Sequence, residues 1–213
     1  MSVLIFFSVT GFTLLDLEAM RLYPGGTWWD ATARGHRFWE NFLCDLEWQV
    51  ALDGQPNRLG SRFAQAGMLV LVLGFVPFWL AVPRLFAAFA RAGTVVRVLG
   101  LLSVVGLLAV TFMPSERFGV LHGAAVVVAG VPGLTAAGVA IAALLGGEPR
   151  PRVAGWLGAG MLGFALVDFA LYVSHLVGHV EGTPLVVKLE KIPLVLLLAW
   201  MVTVAARTGR LAS

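Results

Sequence analysis

Six apolar segments of 15 to 28 residues recur along the chain and constrain its fold more than any other feature. An α-helix rises about 1.5 Å per residue, so about 20 apolar residues cross the roughly 30 Å hydrocarbon core of a bilayer. The segments run approximately over 1–15, 64–83, 95–113, 119–146, 153–180 and 184–206. They predict an all-α integral membrane protein, a bundle of six transmembrane helices, that forms a single transmembrane domain over residues 1–213.

The first segment has two interpretations. It begins at Met1 without a basic region and ends at Asp16 and Glu18 without a clear small-residue cleavage site. A secretory signal peptide has both features, so we predict a short span that is retained. If the segment were cleaved, five helices would remain.

The chain is too apolar for a soluble domain. Hydrophobic residues make up 59% of it and charged residues 13%, whereas soluble domains have roughly 45–50% and about 25%. The net charge of +3 is spread among the loops, so nucleic-acid binding has no support and the lipid bilayer is the predicted partner. Cys44 is the one cysteine, which excludes an intrachain disulfide.

Basic residues are distributed unequally between the predicted loops. Three segments that should share one side carry a single acid, Glu148, and seven arginines: Arg84, Arg91, Arg97, Arg150, Arg152, Arg207 and Arg210. Cytoplasmic loops are enriched in Lys and Arg. We therefore expect both termini in the cytoplasm and the long segment 16–63 outside.

The segment 16–63 contains the stretch RGHRFWENFLCDLEWQV, which has helical periodicity. One predicted face carries Phe38, Trp39, Phe42, Leu43, Leu46 and Val50. The opposite face carries His36, Arg37, Glu40, Asn41 and Asp45. This pattern predicts an amphipathic helix in the first extracytoplasmic loop that lies along the membrane surface or caps the bundle.

The succession of YPGGTWWD, FWENFLCDLEW and FMPSERFGVLHGAA resembles the bacterial and archaeal six-helix membrane family catalogued as domain of unknown function 998. That family has an Asn/Ser-x-x-x-Asp/Glu-Leu element in the outer loop, a Phe-x-Pro element closing the third span and a histidine opening the fourth. The matching residues are Asn41, Asp45, Leu46, Pro114 and His122. Glu47 replaces a glycine that is usual in the family, and KLEKI matches a polar-basic pair that is frequent there. The resemblance implies a six-helix fold in a bacterial or archaeal cell (inner) membrane and no established activity.

A polar stripe interrupts the fifth span. Asp168, Tyr172, His175 and His179 are spaced by four, three and four residues, so they share one helical face. An ionised Asp near the bilayer midplane costs at least about 2.5 kcal/mol. No Lys or Arg is predicted at its depth, so we expect Asp168 to be protonated or hydrogen-bonded to Tyr172, Ser103 or Thr111.

Three functional hypotheses follow from this stripe and from His122, which is predicted at the same end of the bundle. In the first, His122, His175 and His179 bind zinc, with Asp168 or Asp45 as catalytic base, for hydrolysis of a lipid at the outer leaflet. In the second, the stripe binds or conducts protons or ions, or its histidines bind haem.

In the third hypothesis, the polar residues are interhelical hydrogen bonds that fix the packing, and no cofactor is bound. The protein is then a non-catalytic membrane component, an accessory subunit that docks to other membrane protein subunits. The spacing of Gly155, Ala159 and Gly163 by four residues supports close helix packing. We favour this third hypothesis from the sequence.

Overall fold

The computed structural model describes the backbone of residues 1–147, 152–178 and 184–211, and the side chains of these residues except 175–178 and 184. Two 3-10 helices, Leu43–Glu47 and Val82–Phe86, accompany the α-helices. The α-helices are α1 (Ser2–Leu22), α2 (Arg58–Ala81), α3 (Ala90–Phe112), the short α4 (Ser115–Phe118), α5 (Val120–Gly146), α6 (Arg152–Gly178) and α7 (Pro184–Arg210). The predicted all-helical class is confirmed, since no strand is formed within the described ranges.

Among the residues that the structure describes, five helical stretches are long and apolar enough to cross a membrane. They are Ser2–Leu22, Arg58–Phe86, Ala90–Phe112, Val120–Gly146 and Arg152–Ser174. Helix α7 has 27 residues and occupies the place of the predicted sixth span. A membrane crossing by α7 stays a prediction.

The six long helices close into a ring. Helix α1 packs on α2 and α7, α2 on α3, α3 on α5, α5 on α6, and α6 on α7. The long loop 23–57 and the connection 113–119 lie at the same end of this ring, because Gln49 and Arg117 are hydrogen-bonded to each other. We call this the loop end. Ser2 and Thr208, whose hydroxyl oxygens are 3.3 Å apart, lie at the opposite end.

Aromatic side chains fill the centre of the ring. Phe78 of α2 packs edge-on against Trp200 of α7, with ring centroids 5.1 Å apart. Trp79 contacts the same indole, with ring centroids 6.3 Å apart. All three side chains are buried. Because α2 and α7 are not neighbours in the ring, these contacts join its two sides.

Glycines allow the close approach of α1 and α2. Gly60, Gly67 and Gly74 are spaced by seven residues and face α1. A Cβ atom at Gly74 would collide with Ser8, and one at Gly67 would lie 3.0 Å from Asp16 Oδ1. The contact between these helices therefore requires the absence of side chains on this face of α2.

The first helix is longer than the predicted segment 1–15. It continues through Asp16 and Glu18 to Leu22, so the connecting loop spans 23–57 instead of 16–63. Asp16 is buried against α2, and Arg21 forms two hydrogen bonds to Glu18 on the surface. Both acids therefore have positions that a continuing helix can accommodate.

The predicted amphipathic helix is not formed. Residues 38–40 form a turn, and the helical part of this stretch is the 3-10 helix Leu43–Glu47. The Arg37 amide donates to Asn41 Oδ1 (3.0 Å) and the Phe42 amide to Asp45 Oδ2 (2.9 Å). These side-chain acceptors take backbone amides that a continuous helix would use.

The faces of that stretch also differ from the prediction. Asn41 and Asp45, which we predicted on the polar face, are fully buried. Of the predicted apolar face, Leu46 is buried, Trp39 is exposed, and Phe38, Phe42 and Leu43 are partly buried. The long loop is thus a folded layer with its own interior, where Leu46 packs with Tyr23, Ala51 and Ala64.

Candidate functional site

Lys191 is the centre of a buried polar cluster at the loop end. We define the cluster as Asp16, Asn41, Asp45, Glu47, Lys191 and the partly exposed Glu190. The Lys191 side chain is 0% exposed although it lies within α7. The ammonium group donates to the Asn41 carbonyl (2.9 Å) and to Glu190 Oε2 (2.6 Å). Lys191 Nζ also lies 5.7 Å from the centroid of the Phe38 ring. The cation is therefore used in contacts with the long loop and with its neighbour.

Glu190 binds the same segment of the loop. Its Oε2 accepts the Leu43 amide at 3.3 Å as well as the Lys191 ammonium. Lys191 and Glu190 thus bond to backbone groups on either side of Phe42. A buried charge is tolerated only when it is paired and hydrogen-bonded, and this arrangement meets both conditions.

Asn41 and Asp45 extend the cluster within the loop. The Asn41 amide nitrogen donates to the Gly26 carbonyl (2.8 Å) and to Asp45 Oδ2 (3.4 Å). The Trp28 indole N–H donates to Asp45 Oδ1 (3.2 Å). The Asn41 side chain therefore links the start of the loop to its 3-10 helix. Asp45 accepts hydrogen bonds from Trp28 near the start of the loop and from Asn41.

Burial changes the proton affinity of both loop carboxylates. It raises the pKa of Asp45 to about 6, although the hydrogen bonds from Trp28, Phe42 and Asn41 oppose the shift. Burial and the nearby Asp16 carboxylate raise the pKa of Glu47 to about 8. Glu47 consequently keeps its proton through much of the neutral range.

Asp16 and Asp168 bring further carboxylates to this end of the bundle. Asp16 is within electrostatic range of Glu47, Glu190 and Lys191. Asp168 is half-buried in α6 and within electrostatic range of Glu190 and Lys191. Lys191 is therefore a cation near Asp168 that the sequence did not place there. The Ser103 and Thr111 hydroxyls, predicted partners of Asp168, donate to carbonyls of their own helix.

The predicted stripe is described only in part. Asp168, Tyr172 and His175 lie on the continuous helix α6, and Asp168 and Tyr172 are both partly buried. The side chain of His175 and the whole of His179 lie outside the described residues.

His122 is occupied by a structural contact. Its Nδ1 is 2.6 Å from the Met113 carbonyl at the end of α3, and its side chain is buried. Among the described residues, no three His, Cys, Asp or Glu side chains are placed to bind one metal ion. Zinc or haem binding by His122, His175 and His179 stays a prediction, since two of these side chains are outside that set.

His36 lies in the interior of the loop. Its ring packs edge-on against Tyr23, with centroids 5.8 Å apart. Both ring nitrogens are buried without a hydrogen-bond partner within the described part of the chain. Burial and the Lys191 charge lower the pKa of His36 to about 4, so the ring is neutral at physiological pH.

Aromatic residues cover the cluster. Trp28 packs edge-on against Phe42 and Trp48, with centroids 6.5 and 5.7 Å apart. The Trp48 indole donates to Ser115 Oγ (2.9 Å), and the Gln49 amide donates to Glu116 Oε2 (2.9 Å). The loop is therefore joined to the connection between α3 and α5 as well as to α7.

Sequence reasoning missed the central residues of this site. The position of Glu190 between Lys188 and Lys191 predicts a solvated surface group, and Lys191 enters the sequence analysis only as part of KLEKI. In the structure Glu190 instead bonds to the Leu43 amide and to Lys191. A usable signal was present, because Lys188, Glu190 and Lys191 lie among the first eight residues of α7, directly before a long apolar run. Such charges in a span are costly and indicate a buried partner.

Comparison of the chain with protein-family models, with curated proteins and with solved structures found no match.

Proposed function

We propose that this protein is a non-catalytic component of a cell membrane, in which the buried polar cluster fixes the long loop as a rigid cap on the helix bundle. The cap would present a constant surface to other membrane protein subunits. In this function the charged side chains stabilise a structure and do not act on a substrate.

One observation carries the proposal. The Lys191 ammonium and the Glu190 carboxylate, the charged groups that a reaction would use, both bond to backbone atoms of the loop at residues 41 and 43. The Asp45 carboxylate accepts from the Trp28 indole, the Asn41 amide and the Phe42 backbone amide. Groups with this many internal partners are typical of structural networks.

The test replaces the central cation and examines the loop. Lys191→Met removes one donor of Glu190 and the ammonium donor of the buried Asn41 carbonyl, so we expect a loss of about 1–3 kcal/mol. Two measurements are made on the purified protein in detergent: the melting temperature, and the rate of tryptic cleavage at the exposed Arg34 and Arg37. Both should change together, with a lower melting temperature and faster cleavage.

Lys188→Met is the matched control, because Lys188 lies one helical turn away and is exposed. It should leave both measurements within error of the wild type. If Lys191→Met behaves like Lys188→Met, the lysine does not hold the cap and the proposal is wrong.

The finer features of this proposal come from the sequence. We infer six spans, a bacterial or archaeal cell (inner) membrane, cytoplasmic termini and membership of the domain of unknown function 998 family. A green fluorescent protein fused after Ser213 tests the topology, since it fluoresces only when it folds in the cytoplasm. Fluorescence at a C-terminal fusion supports the inferred topology, and a dark but stably expressed fusion contradicts it.

Proton binding is a second candidate function, and one observation favours it. Asp16 and Glu47 are two buried carboxylates within electrostatic range of each other, and the pKa of Glu47 is raised to about 8. Infrared titration of the reconstituted protein should show a carboxylic acid band that disappears near pH 8 and is absent in Glu47→Gln. A wild-type protein without this band would exclude a Glu47 proton site.

A further inference from the structure

A groove opens on the side of the loop end, away from the buried polar cluster. It has a volume of about 400 Å³, which lies in the range of small-molecule sites. Its walls come from α2, from the end of α3, from the connection to α5 and from the long loop. The lining includes Gln49, Gln65, Leu69, Thr111, Phe112 and Arg117.

The rim of the groove that lies nearest the loop end is basic. Arg117 lines it and donates to Gln49 Oε1 at 2.7 Å. Arg58 and Arg62 lie on the same stripe of α2 as Gln65 and Leu69, toward its N-terminus, and both are exposed. Within residues 1–147, 152–178 and 184–211, none of these guanidinium groups forms an ion pair with a carboxylate. Glu116, which accepts the Gln49 amide, is the acid of the adjoining connection.

The side of the groove away from the arginines is apolar, and its apolar surface continues along α2 and α3. Leu73 follows Leu69 by one turn of α2 and is 56% exposed. Phe112, at the end of α3, is 66% exposed. Both helices are long and apolar enough to span a membrane, so this track runs from the level of the arginines toward the hydrocarbon core.

We propose that this groove binds one anionic phospholipid. Its phosphate contacts Arg62 and Arg117, its ester groups lie near the Gln65 amide, and one acyl chain follows Leu69, Leu73 and Phe112. Charge complementarity selects the headgroup, because Arg117 lines the groove, Arg58 and Arg62 lie on the preceding turns of the same α2 stripe, and Glu116 is the one acid of the adjoining connection. The exposed apolar track distinguishes a lipid from a free anion, because only a lipid has an acyl chain that can pack along the track.

The experiment measures lipid binding to the delipidated protein by native mass spectrometry. Dioleoyl phosphatidylglycerol and dioleoyl phosphatidylcholine have the same chains and differ in headgroup charge. We expect one retained phosphatidylglycerol and weaker binding of phosphatidylcholine. The Arg62→Gln/Arg117→Gln variant should bind phosphatidylglycerol roughly 30-fold more weakly, since each cation near the headgroup contributes about 1 kcal/mol.

Two further variants separate this site from general effects. Arg91→Gln/Arg97→Gln removes two exposed arginines near the opposite end and should bind phosphatidylglycerol as the wild type does. Ala66→Trp keeps all the arginines but fills the groove, because Ala66 is an exposed lining residue, and it should abolish retention. Melting temperatures confirm that each variant is folded.

Three results would overturn the proposal. The first is equal binding of the two lipids, which removes headgroup selection. The second is retention of phosphatidylglycerol by the folded Ala66→Trp variant, which places the lipid elsewhere. The third is displacement of the lipid by millimolar inorganic phosphate, which indicates an anion site without a role for the acyl chain.

Discussion

Glu47 illustrates how burial at one residue makes the stability of a fold depend on pH. In an unfolded chain its pKa is near 4.5, and in the folded protein it is about 8. Between these values the folded state holds a proton that the unfolded state has released. The free energy of unfolding therefore decreases as the pH rises from about 4.5 to about 8.

We predict that the melting temperature of the wild-type protein falls between pH 5 and pH 8, and that Glu47→Gln reduces this dependence. The amide cannot ionise, so the variant should be more stable than the wild type at pH 8 and similar to it at pH 5. Below about pH 6.5 the raised pKa of Asp45 (about 6) and the lowered pKa of His36 (about 4) contribute slopes of opposite sign, so the stability of the variant should depend little on pH. Thermal melts in one detergent across this range test the effect, and equal slopes in the two proteins would contradict it.

His36 leads to a prediction of opposite sign from that for Lys191. Its two nitrogens are buried without partners in the described structure, and unmet hydrogen-bonding groups cost about 1–3 kcal/mol each. His36→Phe keeps the edge-on contact with Tyr23 and removes both nitrogens. We expect the melting temperature to stay the same or to rise. A large decrease would show that the imidazole has a polar partner, such as a bound water.

Within the elements, helices were predictable and the loop was not. An apolar run of sufficient length determines a helix by itself, so the predicted segment 95–113 differs little from Ala90–Phe112. The long loop depends on contacts between residues about 150 positions apart, such as Lys191 with Asn41. Periodicity in a local window cannot represent these contacts, so it assigned Asn41 and Asp45 to an exposed face.

Small residues show the same difference between local pattern and packing. The spacing of Gly155, Ala159 and Gly163 predicted a close contact, and the structure confirms it at one end only. A Cβ atom at Gly155 would collide with the Leu145 side chain, whereas one at Gly163 would meet nothing within 4 Å. Gly67 and Gly74, spaced by seven residues, mark a second tight contact, that of α2 with α1. A sequence pattern gives the face of a helix, and only the neighbour decides whether that face is crowded.

Gly74→Ala should destabilise the pairing of α1 and α2. The added methyl group collides with Ser8, whose hydroxyl donates to the Ile5 carbonyl at 2.9 Å and is held in place. Overpacking costs about 1–3 kcal/mol, which corresponds to a melting temperature lower by roughly 2–12 °C. Thermal melts of the purified protein in detergent test this.

Gly163→Ala is the control for this substitution, because its methyl group points into open space. The double variant Ser8→Gly/Gly74→Ala should recover much of the lost stability, since it removes the colliding atoms. If the double variant is no more stable than Gly74→Ala, the collision is not the cause.

At the scale of the whole molecule, the ring of helices and the cap leave large aromatic side chains unburied at one end. Trp29 is 44% exposed and Trp39 is 52% exposed, and both belong to the loop that Lys191 holds in place. A rigid surface loses little entropy when it binds, so its exposed aromatics are suited to contact another subunit.

If the protein is an accessory subunit, mild detergent should extract it from native membranes as a complex larger than its own 22.7 kDa chain. Trp29→Ser/Trp39→Ser should reduce the complex to the size of the isolated chain on a native gel, because interface aromatics carry much of the binding energy. Trp156→Ser is the control: Trp156 is 68% exposed on α6, away from the cap. A wild-type protein that already migrates alone would contradict the accessory-subunit function while leaving the structural role of Lys191 intact, because that role depends only on contacts within the chain.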